Sequence, residues 1–358
     1  MSAIFGHLNL SDTDRVWKAT QGQDVIYQVA TEWIAARNAE LDAIVSMFVD
    51  RTTSDHKRRF KLPAGGYLSR RAEDGSYAAA KQYGSWDVAY PLEDFGRQIA
   101  GDDVSMAYMT VEELDLHLQT VWAQNVNSVR FELLKAILNN TQGTFIDPLW
   151  GSLSIEPLAN GDTVVYPPVL GSQTEATEDH YLESGYAATA ITDTNNPYST
   201  IKDELEHHFG VGVGGSDVVV FIHPDERPET EELTDFAPVG DPAMAYGDDT
   251  DLARLMPGGH PGVMLGRTNG VYVAEWRSLP SAYMVGVYLG VTPPLTRRID
   301  PADTGLGNGL QLVAKDTKFP FESSFWRHRF GFGAGNRLNG VVMELGVGGT
   351  YSIPSGYS

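Results

Sequence analysis

The stretch Thr110 to Asn139, TVEELDLHLQTVWAQNVNSVRFELLKAILN, carries the longest unbroken period in the chain. Val111, Leu114, Leu118, Val121, Trp122, Val126, Val129, Leu133, Ala136 and Ile137 recur at helical spacing and keep one apolar stripe. Thr110 and Glu113 stand in the order of a capping box, which fixes the start chemically. No proline or glycine follows until Gly143. At 1.5 Å per residue this predicts a rod of roughly 45 Å, long enough to cross a whole domain. The rest of the chain must be built around it.

The chain has 358 residues, 42% of them hydrophobic, which is enough for a large core divided into about two domains. A formal net charge of −21 argues against a protein whose main work is gripping nucleic acid phosphate, but is compatible with a container around nucleic acid. There are no cysteines, so disulfides, zinc–thiolate sites, iron–sulfur clusters and thiol nucleophiles are excluded. No basic region followed by an apolar core opens the sequence, and no apolar run approaches a membrane span, so neither a secretory signal nor a membrane partner is expected. Asn139-Asn140-Thr141 matches a glycosylation acceptor, which without a signal carries little weight.

Residues 1–22 are polar and aperiodic, an arm. Val25 to Phe48 reads as an amphipathic helix ending near Asp50. Arg51 to Arg71 then concentrates positive charge around the turn Pro63-Ala64-Gly65-Gly66, with Arg58–Leu62 and Gly66–Arg70 as the expected arms of a hairpin-like excursion. Aromatic residues alternate with polar ones from Tyr77 to Tyr90, yet the excursion has no core of its own, so a neighbouring copy is its natural support. Thr144 to Pro197 reads as a β-rich flap, with strand-like pieces at Leu153–Ile155, Thr163–Tyr166 and Gly185–Ile191. A helix is expected from Thr200 to Phe209, capped by Thr200 and Asp203, then a buried strand Asp217–Ile222 and a helix Thr230–Phe236. From Val271 strands dominate, with segments ending at Trp276, Gly290, Ala314 and Gly346. This order predicts an α+β fold, and no repeat is present.

Candidate chemistry is sparse. The glycine run Gly210 to Ser216 follows a helix and precedes a strand, the reverse of a phosphate loop, and lacks its lysine. Gly331-Phe332-Gly333-Ala334-Gly335 lacks the dinucleotide spacing. His207 and His208 are adjacent on a helix, pointing about 100° apart, and are not expected to chelate as an i, i+4 pair would. His223 and Asp225 end a buried strand, where open sheets place ligands, but Pro224 makes a strand exit and turn the simpler reading. His328 between Arg327 and Arg329 reads as a cationic cluster facing a neighbour's carboxylates. No G-x-S-x-G elbow occurs and the acidic pairs are nonspecific, so no catalytic, cofactor or metal residue is assigned.

The C-terminal third carries a resemblance. Val273-Ala274-Glu275-Trp276 with Leu279-Pro280, Thr292-Pro293-Pro294-Leu295-Thr296-Arg297-Arg298, Phe319-Pro320-Phe321, His328-Arg329-Phe330-Gly331-Phe332-Gly333 and Asn336-Arg337-Leu338-Asn339-Gly340-Val341-Val342 resemble the closing region of tailed-bacteriophage major capsid proteins. Encapsulins share that fold. The resemblance implies an N-terminal arm and helix at 1–54, an extended loop at 55–100, and a peripheral domain with spine helix at 101–150. A β-rich insertion would occupy 151–197, an axial domain 198–290, and closing strands returning to the peripheral domain 291–358.

Such a protein is no enzyme and needs no cofactor. The resemblance implies hexamers and pentamers of an icosahedral shell in a virion assembled in the host cytoplasm, enclosing double-stranded DNA without sequence-specific contacts. Scaffold, portal and decoration proteins are its expected partners. Lys57, Arg58, Arg59, Lys61, Arg70 and Arg71 of the loop would meet acidic neighbours such as Glu112 and Glu113, with Arg327 and Arg329 as further intersubunit contacts. Some members crosslink lysine to asparagine, for which Lys57, Lys61 or Lys81 with Asn336 are the candidates. An encapsulin-type cargo shell is the alternative, and from another class a soluble α+β hydrolase using His223 and Asp225.

Overall fold

The computed structural model describes residues 23–61, 68, 70–73, 75–77, 85–102, 110–172, 174–209, 218–238, 262–316 and 321–358. The expected N-terminal arm, the 63–66 turn, Lys81 and the glycine run lie outside them. In chain order the elements are α1 (Gln23–Val45), β1 (Val49–Thr53), β2 (Lys57–Phe60), β3 (Trp86–Ala89), β4 (Glu93–Asp102) and α2 (Val111–Leu138). There follow β5 (Gly143–Asp147), β6 (Gly151–Ile155), β7 (Tyr181–Glu183), α3 (Pro197–Phe209), β8 (Val218–Ile222) and α4 (Arg227–Glu231). The remainder is strands: β9 (Ala237–Pro238), β10 (Val263–Thr268), β11 (Val271–Glu275), β12 (Tyr283–Tyr288), β13 (Leu295–Arg298), β14 (Gln311–Asp316), β15 (Phe321–Ala334) and β16 (Val341–Glu344). The α+β expectation holds.

Two compact units emerge, each assembled from discontinuous pieces. The first comprises, of the described residues, those within 23–43, 92–131 and 299–331. Here the spine helix α2 begins as its sequence specifies: the Thr110 N–H donates to Glu113 Oε2 at 2.9 Å while Thr110 Oγ1 accepts the Glu113 N–H at 3.2 Å. Its stripe Leu114, Leu118 and Val121 packs with Ala30 and Ile34 of α1, Ile99 of β4 and Trp326 of β15. Trp33 and Trp122 meet edge to face at 6.3 Å. Asn38 clamps the backbone of Leu310, accepting its N–H and donating to its carbonyl, both at 3.1 Å. The sheet of this unit is antiparallel, with β15 central between β14 and β4, and β4 pairs from Phe321↔Asp102 through Phe330↔Glu93.

The second unit comprises the described residues within 44–91, 132–298 and 332–358. A seven-stranded mixed sheet in the order β7-β16-β12-β8-β11-β10-β9 forms its centre. Every residue of β8 is buried, as a central strand covered on both faces requires. On one face Tyr198, Ile201 and Leu205 of α3 pack into the core. Gly286 of β12 admits that helix, since a Cβ there would overlap the Ile201 side chain. Phe48, Phe221 and Trp276 stack together, at centroid distances of 5.0 and 5.6 Å from the Phe48 ring.

The segment expected as a β-rich insertion is woven into this unit. β7 pairs in parallel with β16, and Leu158, Ala159, Tyr166 and His180 are wholly buried. What holds it is Arg337, fully buried, which donates to the carbonyls of Pro157 (2.7 Å) and Leu158 (3.1 Å) and to Asp162 Oδ2 (2.7 Å). Its neighbour Asn339 accepts the Tyr288 N–H at 2.9 Å and donates to the carbonyls of Tyr288 and Thr292. The Asn336–Asn339 motif is thus a buried polar knot in which Asn336, Arg337 and Asn339 satisfy backbone groups of distant segments. Asn336 itself is 4% exposed and donates to the Thr292 carbonyl, so it closes a turn and does not present a surface amide for crosslinking.

Several local expectations are corrected. Arg58 and Phe60 pair with Val88 and Trp86, not with residues 66–70, so the hairpin closes over a far longer excursion. Helix α3 begins at Pro197, where Asn196 Oδ1 accepts the N–H groups of Tyr198 and Ser199, one turn before the expected Thr200 cap. The helix expected at Thr230–Phe236 is instead α4, which starts at Arg227 with Pro228 in its first turn and ends at Glu231. Residues 188–190 form a 3₁₀ turn where a strand was expected. Strands β4, β10 and most of β15 were not anticipated.

Candidate assembly surfaces

Four of the six basic loop residues are satisfied within the chain. Arg59 stands directly across the β2–β3 ladder from Asp87 and grips it with two bonds, 2.6 and 3.0 Å, while Lys57 approaches the same carboxylate at 3.2 Å. The Arg59 guanidinium, aided by Lys57, holds the Asp87 carboxyl down to about 2 against the opposing effect of burial. Arg58 reaches Asp55 at 2.7 Å. Arg71 donates to the Gly75 carbonyl at 3.1 Å and lies 5.5 Å from the centre of the Tyr77 ring. Lys61 and Arg70 are exposed and have no partner among the described residues. Glu112 is exposed at the first turn of α2, whereas Glu113 is engaged in the capping box.

The cluster Arg327-His328-Arg329 is resolved by strand alternation. His328 points inward, 1% exposed, with Nδ1 2.6 Å from Asn125 Oδ1. Arg327 and Arg329 sit on the opposite face of β15, and Arg329 binds carboxylates of its own chain, Asp300 at 2.7 Å and Asp94 at 3.7 Å. His223 and Asp225 follow the turn reading: His223 Nδ1 accepts the Asp225 N–H at 3.2 Å and caps a 3₁₀ turn. That geometry organises backbone. His207 and His208 depart from expectation, because their Nε2 atoms lie 2.9 Å apart. Although the two side chains leave the helix in different directions, an imidazole is long enough for its tip to swing back.

Sequence reasoning missed the tip of the β5–β6 hairpin. Ile146, Leu149 and Trp150 are 78%, 85% and 57% exposed. The turn that displays them is rigid: Asp147 Oδ1 accepts the N–H groups of Leu149 (2.8 Å) and Trp150 (3.0 Å), and Asp147 Oδ2 accepts from Arg298 at 2.7 Å. His56 stacks on Trp150 with ring centres 4.1 Å apart. Three large apolar side chains on a fixed, exposed turn make an apolar patch of the kind that marks contact surfaces. The available signal was Phe145-Ile146-Asp147-Pro148-Leu149-Trp150, a proline turn flanked by apolar residues where turns are usually polar.

No family model and no curated protein matches this sequence. Solved structures do match its shape. A chain from Mycobacterium phage Patience is 18% identical, with 96% of each chain covered and a TM-score of 0.65. A chain in the asymmetric unit of the bacteriophage PhiM1 mature capsid is 10% identical, covering 83% of this chain and 85% of that one, with a TM-score of 0.51. A buried polar knot, a capped spine helix, a seven-stranded sheet and a basic hairpin are here combined in the major capsid fold of tailed phages.

Proposed function

We propose that the chain is the major capsid protein of a tailed phage, a subunit that self-associates as hexamers and pentamers of an icosahedral shell around double-stranded DNA. The observation that carries this reading is the fold match across 96% of both chains. Its work is structural: shape and association, without cofactor or turnover. The shell forms in the host cytoplasm and becomes part of the virion, with scaffold, portal and decoration proteins as partners.

The intrachain pairs refine the role of the basic hairpin. Lys57 and Arg59 stiffen it through Asp87, and Lys61 and Arg70 are the charges it offers to acidic neighbours such as Glu112. Single surface pairs contribute about 0–1 kcal/mol, but repetition around a closed lattice multiplies them. Reversing Arg58 and Arg59 to glutamate is expected to block assembly and leave the subunit folded. The combination Arg59→Asp with Asp87→Arg separates two causes. Restored shells assign Arg59 to stiffening its own hairpin; a folded protein that still fails to assemble assigns it to the neighbour.

The DNA reading is tested on particles recovered by sedimentation from cells expressing the phage gene neighbourhood. After nuclease treatment, protected DNA inside the particles is the expected result. Particles that enclose a protein cargo and no DNA would move the chain to the compartment class.

A further inference from the structure

We propose that Glu178, His180, His207 and His208 form a binding site for one divalent transition-metal ion of the zinc class, clasping the 174–180 segment to the end of helix α3. The ligand atoms of Glu178, His207 and His208 all lie within 4.8 Å of one another. His208 Nε2 is 2.9 Å from His207 Nε2 and 3.3 Å from His180 Nε2. Glu178 Oε2 lies 4.0 Å from His207 Nε2, and Glu204 Oε1 stands 3.9 Å from both His180 and His207 as a further carboxylate. Tetrahedral zinc with bonds of about 2.0–2.1 Å places its ligand atoms about 3.3 Å apart, so small side-chain rotations complete the geometry.

Proton counting points the same way. A neutral imidazole has one donor and one acceptor nitrogen. His180 Nδ1 faces the Gly340 carbonyl at 2.9 Å and must donate to it, which leaves a lone pair on Nε2. His207 donates to the Asp203 backbone carbonyl, which likewise leaves its Nε2 as an acceptor. Both lone pairs face His208 Nε2, and one proton there can serve only one of them. A cation at the convergence serves all three. Fixing a ligand's outer nitrogen on a carbonyl is how metal-bound histidines are oriented.

The donors are also anchored. His180 is fully buried; its N–H donates to the Ala159 carbonyl at 2.8 Å, and its own carbonyl accepts from Val342 at 2.9 Å. The His207 carbonyl accepts the Leu170 N–H at 2.8 Å. Magnesium and calcium select oxygen-rich sites; a cluster dominated by imidazole selects zinc, cobalt or nickel.

The test uses untagged full-length protein freed of metal by chelation and titrated with Co²⁺, then Zn²⁺. One Co²⁺ per chain with the intense visible absorption of tetrahedral cobalt, displaced by Zn²⁺, is expected. His207→Gln and Glu178→Gln, both at partly exposed positions, should each weaken binding by more than the roughly 10- to 100-fold seen on loss of an outer-shell partner, while the distant His223→Gln leaves it unchanged. X-ray absorption of the zinc-loaded wild type needs no variant and should show at least two imidazoles. Absence of saturable binding, equal affinity in folded His207→Gln and Glu178→Gln variants, or an all-oxygen shell would each overturn the site.

Discussion

Arg298 and Asp147 meet at 2.7 Å with side chains only 6% and 3% exposed, and between them they fix the base of the apolar hairpin tip. Arg298 also donates to the Tyr90 carbonyl at 2.8 Å. Removing one member of a buried pair strands the other, so Arg298→Met should cost about 3–5 kcal/mol in urea unfolding. Replacing both partners by apolar residues should recover most of that. Burial alone would raise the Asp147 carboxyl, but the amides of Leu149 and Trp150 together with Arg298 outweigh it and hold the group below its usual 3.8. A depressed acid stabilises above its unfolded value and loses that contribution as pH falls through the folded one. The stability gap between wild type and Asp147→Asn should therefore be constant from pH 5 to 8 and shrink below about pH 4. Nothing in the sequence pairs two residues so far apart. Thr110 and Glu113, by contrast, were legible because a cap is local.

Elements were legible where an unbroken apolar face or run marks them. The spine helix and strand β8 each carry one. Strand β15 does not, because its buried face carries Ser324 and His328 beside Trp326 and Phe330 while Phe325 lies on the exposed face. Polarity there runs against burial, and period-two reading fails. The β2–β3 hairpin was anticipated as a shape but with the wrong partner, since a nearby turn signal was preferred to a distant strand. Packing of α3 on β12 makes a sharper prediction. Gly286→Ala drives a methyl into Ile201 at a fully buried contact, and should lower stability by about 1–3 kcal/mol through overpacking. Pairing it with Ile201→Val should return part of the loss, measured by thermal unfolding.

For the molecule as a whole, the resemblance of the C-terminal third pointed to the correct fold because its Asn336–Asn339 residues tie together segments from 157 to 292. Those side chains cannot vary without leaving backbone groups unpaired. Contact residues have no such signature, and the basic loop was read without the acids that already neutralise part of it. The apolar tip went unread for the same reason: exposure is a property of the folded chain. Buried between copies, Leu149 and Trp150 would contribute roughly 1.5–3 kcal/mol each. The double variant Leu149→Ser and Trp150→Ser should keep the monomer's circular dichroism and unfolding midpoint, and lose assembly as judged by sedimentation velocity. Normal shells from that variant would remove the tip from the contact surface.

Electron microscopy with light scattering on the purified full-length protein, alone and with the products of neighbouring genes, tests the central claim most directly. Closed particles or sheets of hexamers are the expected result. A persistent monomer or dimer in every condition, scaffold candidates included, would contradict a shell-forming role for this fold.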